Sequence, residues 1–320
     1  MRILSGIQPS GSFHIGNYFA MMKKMITYQE EQELFAFIAN LHALTSLPEG
    51  ERLVSNTWDA AASFLALGLD PEKSVFWVQS DVPEVTELTW ILSNVTPLGL
   101  LERCHSFKDK VAKGIQPNLG LFAYPVLMAA DILIYRSDRV PVGQDQKQHL
   151  EVARDIAIKF NLSYGETFTV PEAEIDESLA VIPGTDGQKM SKSYGNTIDI
   201  FSDKETLRRQ VMGIVTDSTP VEAPKDPERC NLFAIASLFL SQEEKLSLAE
   251  SYRAGGLRYS NVKKDLLERI WKYFAPYREK RSWLLENPDA LRRILSHGAE
   301  KAREVAGRTL EQVRSRTGLR

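Results

Sequence analysis

Residues 2–18, RILSGIQPSGSFHIGNY, place an apolar strand, a loop rich in glycine, proline and serine, and the start of a helix in immediate succession. The backbone N–H groups of such a loop, and the positive end of the helix that follows, commonly bind phosphate. His14 and Asn17 add polar donors at this position. The loop does not match the P-loop pattern, because no Lys-Ser or Lys-Thr follows the second glycine. Taken alone, the segment fits a phosphate-binding loop and a plain strand–helix turn equally well.

This segment opens an alternation of strands and helices that continues to about residue 160. Short apolar runs have the composition of buried strands, and longer segments between them have helical spacing. The strand-like runs are RILSGI (2–7), LFAFIAN (34–40), SVFWVQS (74–80) and RVPVG (139–143); the helical segments are GNYFAMMKKMITYQEEQ (16–32), residues 51–67 and EVTELTWILSNV (84–95). The alternation predicts an α/β fold with a doubly wound parallel sheet, in which ligands bind beyond the carboxyl ends of the strands.

Beyond residue 200 the strand signals stop and helical spacing dominates. The helical segments are KETLRRQVMGI (204–214), NLFAIASLFLS (231–241), EEKLSLAESYR (243–253), residues 260–286 and residues 288–316. Asn287-Pro288 separates the last two, and proline favours a helix start there. We therefore expect an α/β domain over residues 1–187, a linker over 188–200 and an α-helical domain over 201–320, whose last helix is able to pack back on the first domain.

Composition and segment lengths indicate an ordinary globular protein, with 43% hydrophobic and 25% charged residues. The N-terminus lacks the long apolar core of a signal peptide, and the apolar runs are too short to span a bilayer. We therefore expect a cytoplasmic protein without a membrane partner. Cys104 and Cys230 have no Cys or His at ligand spacing, which predicts two reduced thiols.

The charge is distributed unevenly along the chain. Residues 201–320 carry 23 Lys and Arg against 17 Asp and Glu, a net charge of +6; since the whole chain carries −3, the first 200 residues carry −9. A basic helical region suits contact with a polyanion, although an ordinary solvated surface explains the same charge.

One carboxylate stands inside an apolar run, YPVLMAADILIY (124–135). Removing an ionised carboxylate from water is costly unless a partner compensates the charge. Asp131 therefore either reaches water or a structural donor, or receives a donor from a ligand.

The loop QKMSKSYGN (188–196) places Lys189 and Lys192 on either side of Met190 and Ser191. Two ammonium groups on a loop can follow a polyphosphate and neutralise charge that develops on a leaving group. A solvated surface loop with two lysines explains the same residues.

The segment VPVGQDQKQHLEVARDIA (140–157) runs from a strand through Gly143 into a helix. Asp145 can cap this helix or bind ribose hydroxyls at the carboxyl end of the strand. His149 lies on the helix, and we interpret it as structural.

HIGN (14–17) and KMSKS (189–193) bracket an α/β domain of suitable size, and together they resemble the two signature sequences of class I aminoacyl-tRNA synthetases. GQDQKQHLEVARDIA (143–157) and YPVLMAADILIY narrow the resemblance to the tryptophanyl/tyrosyl branch, and specifically to bacterial tryptophanyl-tRNA synthetases. The similarity continues through SFKDK (106–110), VTDS (215–218) and HGAEKAREVA (297–306), so it spans essentially the whole chain.

The resemblance implies an ATP site built from both signatures and the loop after the fourth strand. Its residues would be Gln8, Pro9, Ser10, Gly16, Asn17, Gly143, Gln144, Asp145, Val181, Lys189, Met190, Ser191, Lys192 and Ser193. Catalytic roles would fall to His14, Asn17, Lys110, Lys189, Ser191 and Lys192. His14 stands where many bacterial members carry Thr, and Gln144 replaces a more common Glu. Mg²⁺ would be bound through the ATP phosphates, with no metal site formed by the protein.

The resemblance also implies a tryptophan pocket in which Asp131 accepts the indole N–H, a group that only donates. The other pocket residues would be Leu4, Gly6, His42, Met128, Val140, Val142 and Gln146. The family usually has Asp-Gln ahead of its pocket histidine, whereas this chain has Asn40-Leu41. That departure bears on amino-group and inhibitor binding, and not on the reaction.

The implied reaction has two steps. The tryptophan carboxylate attacks the α-phosphorus of ATP, and a terminal ribose hydroxyl of tRNA(Trp) then attacks the adenylate. The resemblance implies a homodimer formed through about residues 84–120 and an anticodon-binding domain over 201–320.

Three alternatives remain open on the sequence. A tyrosyl-tRNA synthetase would share the chemistry, but MAADIL favours an indole over a phenol. A small-molecule nucleotidyltransferase would need neither KMSKS nor the basic helical region. A non-catalytic paralogue is disfavoured by the intact Lys189, Ser191, Lys192 and Asp131.

Overall fold

The computed structural model describes residues 1–46, 49–104, 114, 118–143, 146–175 and 182–319. The chain divides into two compact units. The first unit comprises Met1–Gly11, Met25–Glu177 and Leu284–Arg320, and the second comprises Ser12–Lys24 and Ser178–Trp283. These units differ from the expected domain boundaries in three places. Residues 12–24 and 178–187, expected in the α/β domain, belong to the second unit, and residues 284–320, expected in the helical domain, belong to the first.

The first unit is built on a five-stranded parallel sheet, which confirms the predicted fold class. Its strands are Arg2–Ile7 (β1), Glu33–Ile38 (β2), Ser74–Val78 (β3), Arg139–Val142 (β4) and Glu172–Ile175 (β5), in the order β3-β2-β1-β4-β5. The order reverses between β1 and β4, and in such sheets the crevice at the carboxyl ends of these two strands receives ligands. The sequence pattern does not predict β5, because EAEI is short and half acidic; its parallel pairing with β4 holds it in the sheet.

Both units contain helices. In chain order they are Ile15–Asn17 (α1), Lys23–Glu31 (α2), Asn40–Ala43 (α3), Gly50–Ala66 (α4), Glu84–Ser93 (α5), Leu98–Glu102 (α6), Leu119–Ile134 (α7), Lys147–Tyr164 (α8), Lys204–Met212 (α9), Asn231–Ala236 (α10), Gln242–Ala254 (α11), Tyr259–Tyr273 (α12), Ala275–Glu286 (α13) and Pro288–Thr317 (α14). Tyr18–Met22 forms a π-helical segment, and the helix expected over 260–286 is interrupted at Phe274. None of the described helices is both long and apolar enough to span a membrane.

The last helix, α14, packs on β3 and α5 of the first unit. Its buried face is lined by small residues, among them Gly298, Ala299, Ala302 and Ala306. A Cβ added at Gly298 would lie 1.8 Å from the carbonyl oxygen of Phe76. The absence of a side chain at this position therefore lets the helix backbone rest directly on the sheet.

In the second unit, an aromatic cluster joins the π-helical segment to α12 and α13. The ring of Tyr18 lies edge-on to Phe274 at 5.2 Å, and its hydroxyl is 3.2 Å from that of Tyr273. Phe19 packs edge-on against Phe239 at 5.2 Å. These contacts explain why residues 12–24 belong to the helical unit, since each large ring buries considerable apolar area there.

Candidate active site

The carboxylate of Asp131 lies inside the first unit, on α7, and is 2% exposed. The side-chain amide of Gln79 donates to both oxygens, at 2.9 Å to Oδ1 and 2.8 Å to Oδ2. Nε2 of His42 lies 2.9 Å from Oδ2. Of the alternatives that the sequence left open for this carboxylate, the structure thus shows the structural donor. These donors also fix the direction in which the carboxylate faces.

Several other predicted pocket residues belong to the hydrophobic core of the first unit or pack against it. Leu4 on β1 and Val140 on β4 are buried in the same hydrophobic cluster, against which Met128 and Val142 pack with part of their surface exposed. At Gly6 a Cβ would meet the ring of Phe37 at 2.8 Å, so any side chain there would collide with a neighbouring strand. These apolar residues thus belong to the core that also contains Ala130 and Ile132, the two sequence neighbours of Asp131.

A second hydrogen-bonded group of the first unit joins α7 to α8. Nδ1 of His149 lies 2.9 Å from Oε1 of Gln146, and Nε2 lies 2.6 Å from the hydroxyl of Tyr124. An amide oxygen only accepts, so Nδ1 carries the proton and the tyrosine donates to Nε2. The ring of Tyr124 is also 6.3 Å from that of His42. His149 thus orients Gln146, one of the predicted substrate-binding residues.

The first signature motif belongs to the second unit, where His14 caps α1. Its Nδ1 accepts from the backbone N–H of Asn17 at 3.2 Å, and the Asn17 side chain accepts from the His14 backbone N–H at 3.2 Å. Burial and then the positive charge of Lys192 lower the pKa of His14 to about 4. His14 is therefore neutral at physiological pH, and its proton is on Nε2 because Nδ1 accepts. It offers a neutral donor and not a positive charge.

The KMSKS loop lies beside that motif within the same unit. Met190 is buried, and a Cβ at Gly16 would approach the Met190 Cβ to 3.2 Å. The ammonium of Lys192 is 5.8 Å from the ring centroid of Phe13. Backbone hydrogen bonds from Ile15 to Ile198 and from Ile200 to Phe13, both 3.0 Å, join the two segments. The structure thus brings together two motifs that are about 170 residues apart in the sequence.

Asn196 holds the KMSKS loop from inside. Its Oδ1 accepts from the Ser191 N–H at 2.8 Å, and its Nδ2 donates to Asp186 at 2.7 Å and to the Lys189 carbonyl at 3.1 Å. The Asn196 bond lowers the pKa of Asp186 below its usual value. Lys189 and Lys192, in contrast, are exposed. The loop backbone is anchored while its cations reach solvent.

The structure places the predicted site residues in two groups. In the first unit lie Leu4, Gly6, Gln8, Pro9, Ser10, His42, Met128, Asp131, Val140, Val142, Gly143 and Gln146; in the second lie His14, Gly16, Asn17, Lys189, Met190, Ser191, Lys192 and Ser193. Lys110, Gln144, Asp145 and Val181 fall outside the described residues.

Sequence reasoning missed Gln79, Tyr124 and Asn196, and it assigned His149 a structural role. Gln79 directly follows a predicted strand in SVFWVQS, a position where parallel sheets place ligand-facing groups. That signal could have found it. Asn196 carries no such signal, because it acts through backbone groups brought close only by the folded loop.

Family comparison agrees with this geometry. A family model described as tRNA synthetases class I (W and Y) matches residues 1–275. A tryptophan–tRNA ligase of Campylobacter jejuni is 56% identical over 319 residues, with complete coverage of both chains. The chain belongs to the bacterial tryptophan–tRNA ligases of class I. The predicted family and reaction are therefore confirmed, in preference to the tyrosyl alternative.

Solved structures of class I synthetases also resemble this chain. The crystal structure of the Campylobacter jejuni tryptophanyl-tRNA synthetase complexed with ADP and tryptophan matches with a TM-score of 0.97 at 56% identity, covering 99% of this chain and all of that one. An Archaeoglobus fulgidus tyrosyl-tRNA synthetase matches with a TM-score of 0.66 at 22% identity, covering 88% and 90%. The second likeness extends to the fold alone.

Proposed function

We propose that this ligase selects tryptophan in the first unit, with Asp131 accepting the indole N–H. The observation that carries this proposal is the orientation of the buried carboxylate by Gln79 and His42. An indole N–H can only donate, so an oriented acceptor in an apolar slot suits it. Leu4, Gly6, Met128, Val140 and Val142 would contact the ring, and Gln146 would bind the polar end of the amino acid.

ATP would bind through the two signature motifs and the loop after β4. Neutral His14 would donate from Nε2 to a phosphate oxygen, and Lys189 and Lys192 would neutralise charge on the departing pyrophosphate. The ammonium groups suit this role because they are exposed on long side chains. The family pattern adds backbone and side-chain contacts from Gln8, Pro9, Ser10, Gly16, Asn17, Gly143, Met190, Ser191 and Ser193, and from Lys110, Gln144, Asp145 and Val181, which lie outside the described residues.

Mg²⁺ would arrive with ATP, held by phosphate oxygens, which are its preferred type of ligand. Among the described residues, no group of three or more His, Cys, Asp or Glu side chains is placed to hold a metal ion. The charge of such an ion would offset that of the phosphates.

The first step needs no general base, because a carboxylate is ionised at neutral pH. A tryptophan carboxylate oxygen attacks the α-phosphorus, the bond to the β-phosphate oxygen breaks, and pyrophosphate leaves. In the second step a terminal ribose hydroxyl of tRNA(Trp) attacks the adenylate carbonyl and AMP leaves. The protein contributes position and charge stabilisation.

Within the basic segment 201–320, whose net charge of +6 favours a polyanion, the residues up to Trp283 that belong to the second unit would contact the anticodon region of tRNA(Trp). We also propose a homodimer formed through residues 84–120. In the described part of that segment, Trp90, Leu98 and Leu119 are 72%, 68% and 79% exposed. Large apolar side chains exposed within one segment are typical of an interface.

We also propose a cytoplasmic location, since the charging of tRNA serves translation.

Amino-acid-dependent pyrophosphate–ATP exchange tests the proposal. We expect exchange with tryptophan but not tyrosine, and charging of tRNA(Trp) by the same preparation. Exchange with tyrosine alone would refute the tryptophan assignment, and exchange without tRNA charging would favour a nucleotidyltransferase. Analytical ultracentrifugation of the wild-type chain and of Trp90→Lys tests the dimer.

A further inference from the structure

We propose that Gln79 is a positioning residue for tryptophan selection: it holds the Asp131 carboxylate so that Oδ1 faces the indole N–H. The inference rests on the proposed role of Asp131. It assigns the origin of selectivity to a second residue, which itself need not touch the substrate.

The orientation of the Gln79 side chain is fixed by its own hydrogen bonds. Oε1 accepts from the backbone N–H groups of Leu41, at 3.0 Å, and His42, at 3.4 Å. Because only the amide oxygen can accept these bonds, the NH₂ group must face the opposite way, toward Asp131. There it lies within 2.9 Å of both carboxylate oxygens.

The backbone around Gln79 is held against α3 by a second pair of bonds. Nδ2 of Asn40 donates to Oγ of Ser80 at 2.8 Å, and the Ser80 N–H donates to Oδ1 of Asn40 at 3.0 Å. An asparagine provides the donor and the acceptor at once, whereas a carboxylate only accepts. Asn40, a departure from the family pattern, therefore fits the role of joining the end of β3 to the start of α3.

The hydrogen bonds on the carboxylate are unequal. Oδ2 lies within hydrogen-bonding distance of both Gln79 and His42. Among the described residues, Oδ1 accepts a hydrogen bond from Gln79 alone. A carboxylate oxygen accepts two bonds readily. Oδ1 thus keeps capacity for the indole N–H, and Gln79 keeps the carboxylate from rotating. Without Gln79, the Asp131 carboxylate would be free to rotate away from the indole N–H of the substrate. It would also lose a hydrogen bond that offsets the cost of burying its charge.

The test compares tryptophan with the analogue that carries sulfur in place of the indole N–H. For the wild type, Gln79→Met and Gln79→Glu, kcat/KM in pyrophosphate exchange is measured with each amino acid. We expect Gln79→Met to lower kcat/KM for tryptophan about 10-fold to 100-fold and the tryptophan-to-analogue ratio about 10-fold, with the KM for ATP unchanged. Gln79→Glu keeps the size and the acceptor, but places a second carboxyl group against Asp131, so we expect a larger loss in the ratio.

Gln29→Met is the matched control. Gln29 is also a buried glutamine of the first unit, and it joins backbone groups by donating to the Gly68 carbonyl at 3.0 Å and accepting from the Asp70 N–H at 2.9 Å. We expect it to lower the melting temperature and leave the tryptophan-to-analogue ratio unchanged. A Gln79 variant that loses stability but keeps the wild-type ratio would overturn the inference. If Gln79→Met does not fold, the tryptophan-to-analogue ratio of Gln79→Glu tests the inference in its place. A wild type without tryptophan-dependent exchange would instead refute the proposed function.

Discussion

The proposed tryptophan pocket of the first unit and the proposed phosphate-binding loops of the second unit handle charge in opposite ways. Asp131 is buried and held by Gln79 and His42, so its direction is set before a ligand arrives. Lys189 and Lys192 are exposed, while the loop that carries them is anchored by neutral Asn196. Selecting a neutral ring requires a fixed acceptor, because the energy difference comes from one directed hydrogen bond. Neutralising a departing polyphosphate requires cations that can follow it.

The largest expected effect is in the phosphate loops. Replacing both Lys189 and Lys192 by alanine should lower kcat in pyrophosphate exchange about 10²-fold to 10³-fold, because the leaving group loses two stabilising charges. The KM for tryptophan should change little, since both lysines belong to the proposed phosphate site. Lys245→Ala, an exposed lysine on α11 of the same unit, is the control and should retain full activity. A tryptophan KM that rises as much as kcat falls would contradict the division of roles.

Removing the Asp131 carboxylate tests the role of the fixed acceptor in the first unit. Asp131→Ala should raise the KM for tryptophan about 10²-fold, because the indole N–H loses its acceptor and Gln79 and His42 lose theirs. The KM for ATP should stay within about twofold, as no phosphate contact is removed. Asp155→Ala, an exposed carboxylate on α8, serves as the control. Equal losses of affinity for tryptophan and ATP would refute the indole role.

A third prediction concerns how rigidly the sheet of the first unit is supported. Gly298→Ala should lower the free energy of unfolding by about 2–3 kcal/mol, because the new Cβ collides with the Phe76 carbonyl. Gly307→Ala lies on the same helix, where a Cβ meets nothing within 4 Å, and should be neutral or stabilising by up to about 1 kcal/mol. Denaturant unfolding measures both. Similar stabilities for the two variants would show that α14 does not rest on β3 as described.

The smallest effect is the titration of His14. Its pKa of about 4 in the folded protein lies below the ordinary value of 6.5, so the unfolded chain binds the proton more readily. Its contribution to stability is complete above pH 6.5 and is lost as the pH falls toward 4. Between pH 7.5 and 5.5, the wild type should lose on the order of 1 kcal/mol more stability than His14→Asn, which can still cap α1 but does not titrate.

Thermal unfolding at the two pH values measures this difference, and the exposed His297 provides the control through His297→Asn. An NMR titration that places the midpoint of His14 near 6.5 would contradict the effect of burial on its pKa.

Local patterns predicted much of this protein correctly. Short apolar runs separated by helical periods predicted β1 to β4 and the helices α4 and α5, because burial on both faces of a parallel sheet selects those residues. The two signature motifs and the isolated carboxylate marked the candidate site. β5 escaped prediction, because the pairing partner and not the residues of Glu172–Ile175 decides its structure.

The sequence by itself determined the fold class, the family and the residue types available for the reaction, since periodicity and motif spacing are local properties of the chain. The tertiary structure decided which groups meet. Gln79, His42 and Asp131 come from three different elements, and their hydrogen bonds exist only once β3, α3 and α7 are packed together. The pKa of His14 is lowered because folding buries it beside Lys192. Direction and protonation depend on neighbours that are distant in sequence, and these neighbours convert a costly buried charge into an oriented acceptor.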